Sequence, residues 1–247
     1  MANILFEHPL NEKTRSYLRL EHLNNQLAQA ANKDSGVEVF TPLFALCDIT
    51  DRCDFRNDLL KELDRHLLQI KKWRNVENVN QDNLNQCISQ LTEVRRDLSY
   101  STRLGLNTRN DRFLSAVRQR YNMPGGCCSF DLPQLHYWLS GPWSIRKAQI
   151  REWQQQFELL LRAIQSILQL LRQSGEFVTQ EAKSGMFQHV SESPLALVRI
   201  ELSRDSLCYP TVSGNKQRFT LQMLRFDNQT RANNDVAFSL ACCQEPK

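Results

Sequence analysis

Only 8 glycines and 8 prolines interrupt this 247-residue chain. So few breakers exclude a chain cut into many short turns and predict long helices. No segment approaches the roughly 18 uninterrupted apolar residues that a membrane-spanning helix needs. The N-terminus also lacks the basic-then-apolar layout of a signal peptide. Together these absences predict a cytosolic protein that makes no use of the membrane. The formal charge of +4 is mild; it permits an acidic partner but is too small to indicate nucleic acid. A phosphate-cradling loop is missing as well, because Gly125-Gly126 precede cysteines rather than a Lys-Ser/Thr pair.

Cysteine is present, with 8 residues, but in a pattern unsuited to metal. Cys127-Cys128 and Cys242-Cys243 are adjacent pairs, whereas zinc ligands are typically spaced by about two to four residues. Neighbouring side chains on a strand point to opposite faces, which makes a shared ion awkward. Buried, reduced thiols fit better, and neither a metal nor a cofactor is expected. Cys127 or Cys128 with His136 could be drawn as a thiol–imidazole pair. Two small apolar thiols between a turn and an aromatic run fit core packing more simply, so catalysis is not expected.

The hydrophobic pattern predicts an α+β chain, mainly helical and then antiparallel β. A strand over Asn3 to Glu7 opens it. A helix over Asn11 to Ala30 follows, with Asn11 as N-cap. Further helices are expected over Pro42 to Asp51, Asp54 to Asn75, Asn80 to Leu98 and Asn110 to Tyr121. A looser link is expected over Tyr100 to Thr108. The turn Pro124-Gly125-Gly126 leads to a short helix, Leu132 to Leu139. Past Gly175 the period changes to that of strands: Phe177-Val178, Gly185 to His189, Ala196 to Leu202, Leu207 to Val212, Arg218 to Phe226 and Val236 to Cys242. The N-terminal strand needs a partner and is expected to join that sheet. Residues 10–175 would then form a helical domain, and 1–9 with 176–247 a β domain. Gln244 to Lys247 is expected to fray.

Ser144 is expected to cap the longest helix, Ile145 to Ser174, which would run about 45 Å. Trp153, Phe157, Leu160, Ile164, Ile167 and Leu171 recur on it at alternating four- and three-residue steps. That 3.5-residue seam suits either a central core helix or a contact with a second copy of the chain. Periodicity leaves both open.

Arginine is the more instructive charge. Arg95, Arg96, Arg103, Arg109, Arg112, Arg118 and Arg120 crowd one stretch, opposed locally only by Asp97 and Asp111. Arg15 and Arg19 lie on one helix face, and Arg146, Lys147 and Arg151 open the long helix. Lys216 and Arg218 are two apart, which on a strand would point them the same way. Guanidinium groups suit planar carboxylates and phosphate alike. Nucleic acid is therefore the physical rival, although no helix-turn-helix, zinc-finger or RNP signature is present.

Two stretches carry a resemblance. One is Met123-Pro124-Gly125-Gly126-Cys127-Cys128-Ser129-Phe130-Asp131-Leu132-Pro133-Gln134-Leu135-His136-Tyr137-Trp138-Leu139, and the other is Ile4-Leu5-Phe6-Glu7-His8-Pro9-Leu10-Asn11-Glu12-Lys13. With Asp111-Arg112-Phe113, Ser213-Gly214-Asn215-Lys216-Gln217-Arg218-Phe219 and Leu240-Ala241-Cys242-Cys243, they make the chain resemble the ZapD family. The resemblance implies a helical domain plus a β domain fed by both termini. It also implies a non-enzymatic homodimer at the midcell division ring that binds the C-terminal tail of FtsZ and bundles its filaments. The family's contact positions fall on Arg19, Arg112, His136 and Arg218, with Lys216 and Arg15 beside them. It favours the Trp153 to Leu171 seam as the dimer interface. The chain departs from the family pattern over Asn32 to Arg52.

Overall fold

The computed structural model describes residues 3–75, 80–101, 108 and 110–246. Arg103, Arg109 and most of the link expected over Tyr100 to Thr108 lie outside the described residues. The chain forms two compact units, one of Met1–Leu18 with Ile167–Lys247 and the other of Arg19–Ser166. The division falls within the first helix and within the last.

The helices are α1 (Glu12–Ala31), α2 (Phe40–Arg52), α3 (Arg56–Lys72), α4 (Gln81–Tyr100), α5 (Arg112–Tyr121), α6 (Pro133–Leu139), α7 (Trp143–Gln155) and α8 (Glu158–Gln173). Their starts follow from side-chain caps. Asn11 Oδ1 accepts from Thr14 N–H at 2.7 Å, Asn80 Oδ1 from Asn83 N–H at 3.0 Å, and Asp111 Oδ1 from Leu114 N–H at 3.0 Å. Each satisfies one of the amide groups that a helix start leaves without a partner. Helix α3 packs against α4. Leu59, Leu63, Leu67 and Ile70 of α3 are buried, as are Leu84, Ile88, Leu91, Val94 and Leu98 of α4.

The expected long helix is two helices. Gln156 and Phe157 interrupt it, with Phe157 N–H donating to Gln154 O at 3.0 Å and Gln156 N–H to Trp153 O at 3.3 Å. These i→i−3 bonds wind one turn tighter than an α-helix. A physical reason lies in the seam itself. A straight α-helix drifts about 20° per heptad away from a 3.5-residue stripe, and one tightened turn changes the phase so that both halves of the stripe stay buried. The start also differs from expectation. Pro142 rather than Ser144 takes the cap position, and its carbonyl accepts from Ile145 and Arg146 N–H at 3.1 and 3.2 Å.

The strands are β1 (Asn3–Pro9), β2 (Val178–Ala182), β3 (Met186–Val190), β4 (Leu195–Ser203), β5 (Cys208–Gly214), β6 (Arg218–Arg225) and β7 (Val236–Gln244). They form two antiparallel sheets, in the orders β1-β4-β7-β2 and β3-β6-β5. The N-terminal strand takes the place expected for it, paired with β4. Both sheets feed one core through Val198, Ile200 and Leu202 of β4, Phe238 and Leu240 of β7, and Phe219, Leu221 and Met223 of β6. On the opposite face of β4, Arg199 stands directly across from Glu7. Arg199 Nε donates to Glu7 Oε1 at 3.0 Å, and Arg172 of α8 grips both oxygens of the same carboxylate at 2.9 and 2.7 Å. A two-pronged guanidinium contact fixes direction as well as distance. It ties β1 to the end of α8.

Candidate functional site

The turn before α6 is built from its glycines. Gly125 has φ of 73°, in the left-handed region that side chains disfavour, and a Cβ at Gly126 would strike the Arg120 carbonyl. Glycine is therefore required at both positions for steric reasons. The turn leads into α6, where Leu135 is buried and His136 and Tyr137 face solvent. Tyr137 and the nearby Phe130 are both 83% exposed, unusual for aromatic rings.

Behind this surface lies an aromatic cluster. Phe113 stacks on Trp153 at 5.9 Å and 12°, and it lies 5.8 Å from Trp138; Phe40 approaches Trp138 at 5.5 Å and Trp153 at 6.1 Å. Arg146 places its guanidinium 5.5 Å above Trp138 while pairing with Asp34 at 2.6 Å. The segment Asn32 to Arg52 thus has structural work in this unit, supplying Phe40 and Asp34.

In Asp111-Arg112-Phe113 the outer two residues are fixed and the middle one faces solvent. Asp111 caps α5 with one oxygen and accepts the Trp153 indole N–H at 3.0 Å with the other. Phe113 is held in the ring cluster, and Arg112 is exposed. Asp111→Ala should remove a cap and an indole acceptor together, lowering stability by about 2–3 kcal/mol. Asp111→Asn keeps one acceptor oxygen, enough for the cap but not for the indole as well, and should recover only part of that loss in a denaturant melt.

Most of the arginine-rich stretch is neutralised by acids that local sequence does not reveal. Arg95 pairs with Asp64, Arg118 with Asp48 and with Asp51 at 3.1 Å, and Arg120 with Asp131 at 3.7 Å. Arg96 meets Asp97 at 3.2 Å, and Asp97 also accepts from Arg162 at 2.5 Å. The Arg162 hydrogen bond holds the Asp97 carboxyl below the usual carboxylate range. Among the described arginines between positions 95 and 120, only Arg112 lacks an acidic partner.

Arg19 on α1 is also exposed, between Leu18 and the buried Leu20. Among the described residues Arg19, Arg112, His136 and Arg218 make no ion pair. The first three belong to the helical unit and Arg218 to the β unit. Arg15 is engaged locally, with Glu12 at 3.2 Å and the Pro9 carbonyl at 3.5 Å. Lys216 does not lie on a strand. Asn215 to Gln217 form the turn between β5 and β6, with Asn215 Oδ1 accepting from Gln217 and Arg218 N–H at 3.0 and 3.1 Å. The strand alternation expected to align Lys216 with Arg218 therefore does not apply.

The six seam residues, Trp153, Phe157, Leu160, Ile164, Ile167 and Leu171, are between 0% and 4% exposed in a single chain. Their apolar area is covered within the chain itself, so a contact between copies would need other residues.

All eight cysteines are free thiols. Burial raises Cys127, and it pushes Cys242 and Cys243 up to about 11. At pH 8 the last two should hold about a hundredfold less thiolate than an ordinary cysteine and react with maleimide last, after the exposed Cys53. Cys127→Ala with Cys128→Ala should leave a folded protein with unchanged activity, apart from a modest drop in melting temperature. Among the described residues no group of three or more His, Cys, Asp or Glu could hold a metal ion. No helix among them is long and apolar enough to cross a membrane.

Fold and surface together define an α+β protein of two units whose described residues include exposed guanidinium groups without an ion pair and exposed aromatic rings. The family model described as a cell division protein, ZapD, matches residues 18–222. The chain is 44% identical over 243 residues to the cell division protein ZapD of Shewanella baltica (strain OS185), covering 98% of this chain and 100% of that protein. The same figures hold for the relative from Shewanella oneidensis. The cell division protein ZapD of Vibrio cholerae serotype O1 is 38% identical over 246 residues, again across 98% and 100% of the two chains. The chain belongs to the ZapD family of cell division proteins.

Proposed function

We propose that this protein binds the acidic C-terminal tail of FtsZ and, as a homodimer, cross-links FtsZ filaments into bundles at the division ring. The observation that carries this reading is Arg112, which has no ion-pair partner among the described residues, in an arginine-rich stretch whose other described members have acidic partners. A guanidinium left exposed on a cap and a ring cluster that fix its backbone suits a carboxylate on another chain. Arg19, His136 and Arg218 share its exposure and, among the described residues, its lack of an ion-pair partner. The internal pairing also weakens the nucleic-acid reading, which needed the whole stretch as one cationic surface.

One tail on one subunit is a weak, reversible contact. Two tails on a dimer, repeated along two filaments, turn modest affinity into a lasting cross-link through effective concentration. Charge-assisted contacts at the surface make that linkage sensitive to salt. No nucleotide, metal or catalytic step enters. The test is FtsZ sedimentation with GTP, with and without this protein, beside a gel shift on DNA. Pelleting without a shift is expected; a shift without pelleting would favour the nucleic-acid reading.

A further inference from the structure

The segment after β7, expected to fray, is anchored at Glu245. Its backbone N–H donates to the Pro194 carbonyl at 3.0 Å, extending the β4–β7 ladder by one bond past the Leu195–Gln244 pair. One oxygen, Oε1, accepts from Asn11 Nδ2 at 2.8 Å and lies 2.6 Å from Lys216 Nζ. Each of the groups that hold it is itself held. The Asn11 side-chain oxygen caps α1 through Thr14 N–H, which leaves its amide nitrogen facing the carboxylate. The turn bearing Lys216 is tied down by Leu195 N–H to the Lys216 carbonyl at 2.7 Å and Ser191 N–H to the Gln217 carbonyl at 2.8 Å. All of these residues belong to the β unit.

This is how a protein reads one acidic residue of an extended peptide. A ladder bond takes the main chain, while a cation and an amide take the carboxylate. The Lys216 and Glu245 side chains remain 47% and 29% exposed, so water and a second carboxylate can reach them. We propose that Asn11, Lys216 and the Pro194 carbonyl form a recognition site for an acidic peptide residue, and that Glu245 fills it in cis as a competitor. The identity of the displaced competitor's rival, the FtsZ tail, rests on the reading above. An incoming aspartate or glutamate needs no new pocket, only the contacts that Glu245 gives up. The chain's own residue sets a threshold that a single weak tail does not cross and a dense array of tails does.

The test is fluorescence anisotropy at low salt with the full chain and two labelled probes, the FtsZ tail peptide and hexaglutamate. Partly exposed ion pairs contribute little, so Glu245→Gln should tighten both probes by about two- to fivefold. Lys216→Ala should weaken both, and the double variant should match Lys216→Ala, because the competitor matters only while its site exists. Tail binding by the wild type with no change in Glu245→Gln would overturn the proposal and leave the FtsZ reading standing. Tighter hexaglutamate binding by Glu245→Gln, with no tail binding by any variant, would overturn the FtsZ reading and keep the site. A lower melting temperature for Glu245→Gln without tighter binding of either probe would reduce Glu245 to a structural clamp and sink the proposal.

Discussion

Arg112→Glu is expected to abolish FtsZ pelleting while circular dichroism and melting temperature stay those of the wild type. Arg112 is exposed and makes no ion pair among the described residues, so no ion pair described in the fold depends on its charge. Its neighbours are the fixed ones. Asp111 holds the start of α5 and the Trp153 indole, and Phe113 sits in the ring cluster. Losing a charge-assisted contact costs about 1.5–3 kcal/mol, or about ten- to hundredfold in affinity. Reversal adds repulsion to that loss, and a bundle held by many weak contacts amplifies it. Added salt should weaken the wild type in the same direction. Arg118→Glu provides the contrast. That residue is tied to Asp48 and Asp51, so its reversal should act through stability. Equal pelleting by folded glutamate variants at Arg19, Arg112, His136 and Arg218 would place tail binding on other residues.

Ile164→Glu is expected to unfold the protein rather than divide a dimer. The side chain is fully buried in one chain, as are Phe157 and Leu160 on the same stripe. The substitution removes a packed aliphatic group and places a carboxylate in an apolar site, an effect of about 4–6 kcal/mol. For a chain of this size that corresponds to a drop of roughly 10–20 °C in melting temperature, read by a thermal melt at fixed protein concentration. A variant that kept the wild-type melt and halved its mass in light scattering would put the stripe at a subunit contact. A conservative control, Ile164→Val, should cost only about 1 kcal/mol.

Much of the fold was legible because its signals are local. Asn11, Asn80 and Asp111 each precede an apolar stripe, and each caps a helix at that point. The strands after Gly175 were legible from a change of period, and the pairing of β1 with the later strands from the cost of an unpaired edge. The split of the strands into two sheets was not. Both sheets alternate in the same way, and only the register of β3 with β6 rather than with β2 separates them. Likewise, the 3.5-residue stripe suits one long helix and two short ones equally. The turn at Gln156 and Phe157 is set by what the stripe packs against.

The candidate site divides along the same line. The sequence by itself determined which residue types stand where: an arginine between an aspartate and a phenylalanine, a histidine beside aromatic residues, and a lysine two positions before an arginine. Which of those charges remain available was decided only by tertiary structure. Asp48 and Asp51 reach Arg118 across 70 and 67 positions, and Asp64 reaches Arg95 across 31. Glu245 and Lys216 meet only because β7 ends beside the β5–β6 turn. Charge interactions fall off over ångströms of space and take no account of separation along the chain. A local run of arginines therefore records how many cations are present, and the fold decides which of them are left for a partner.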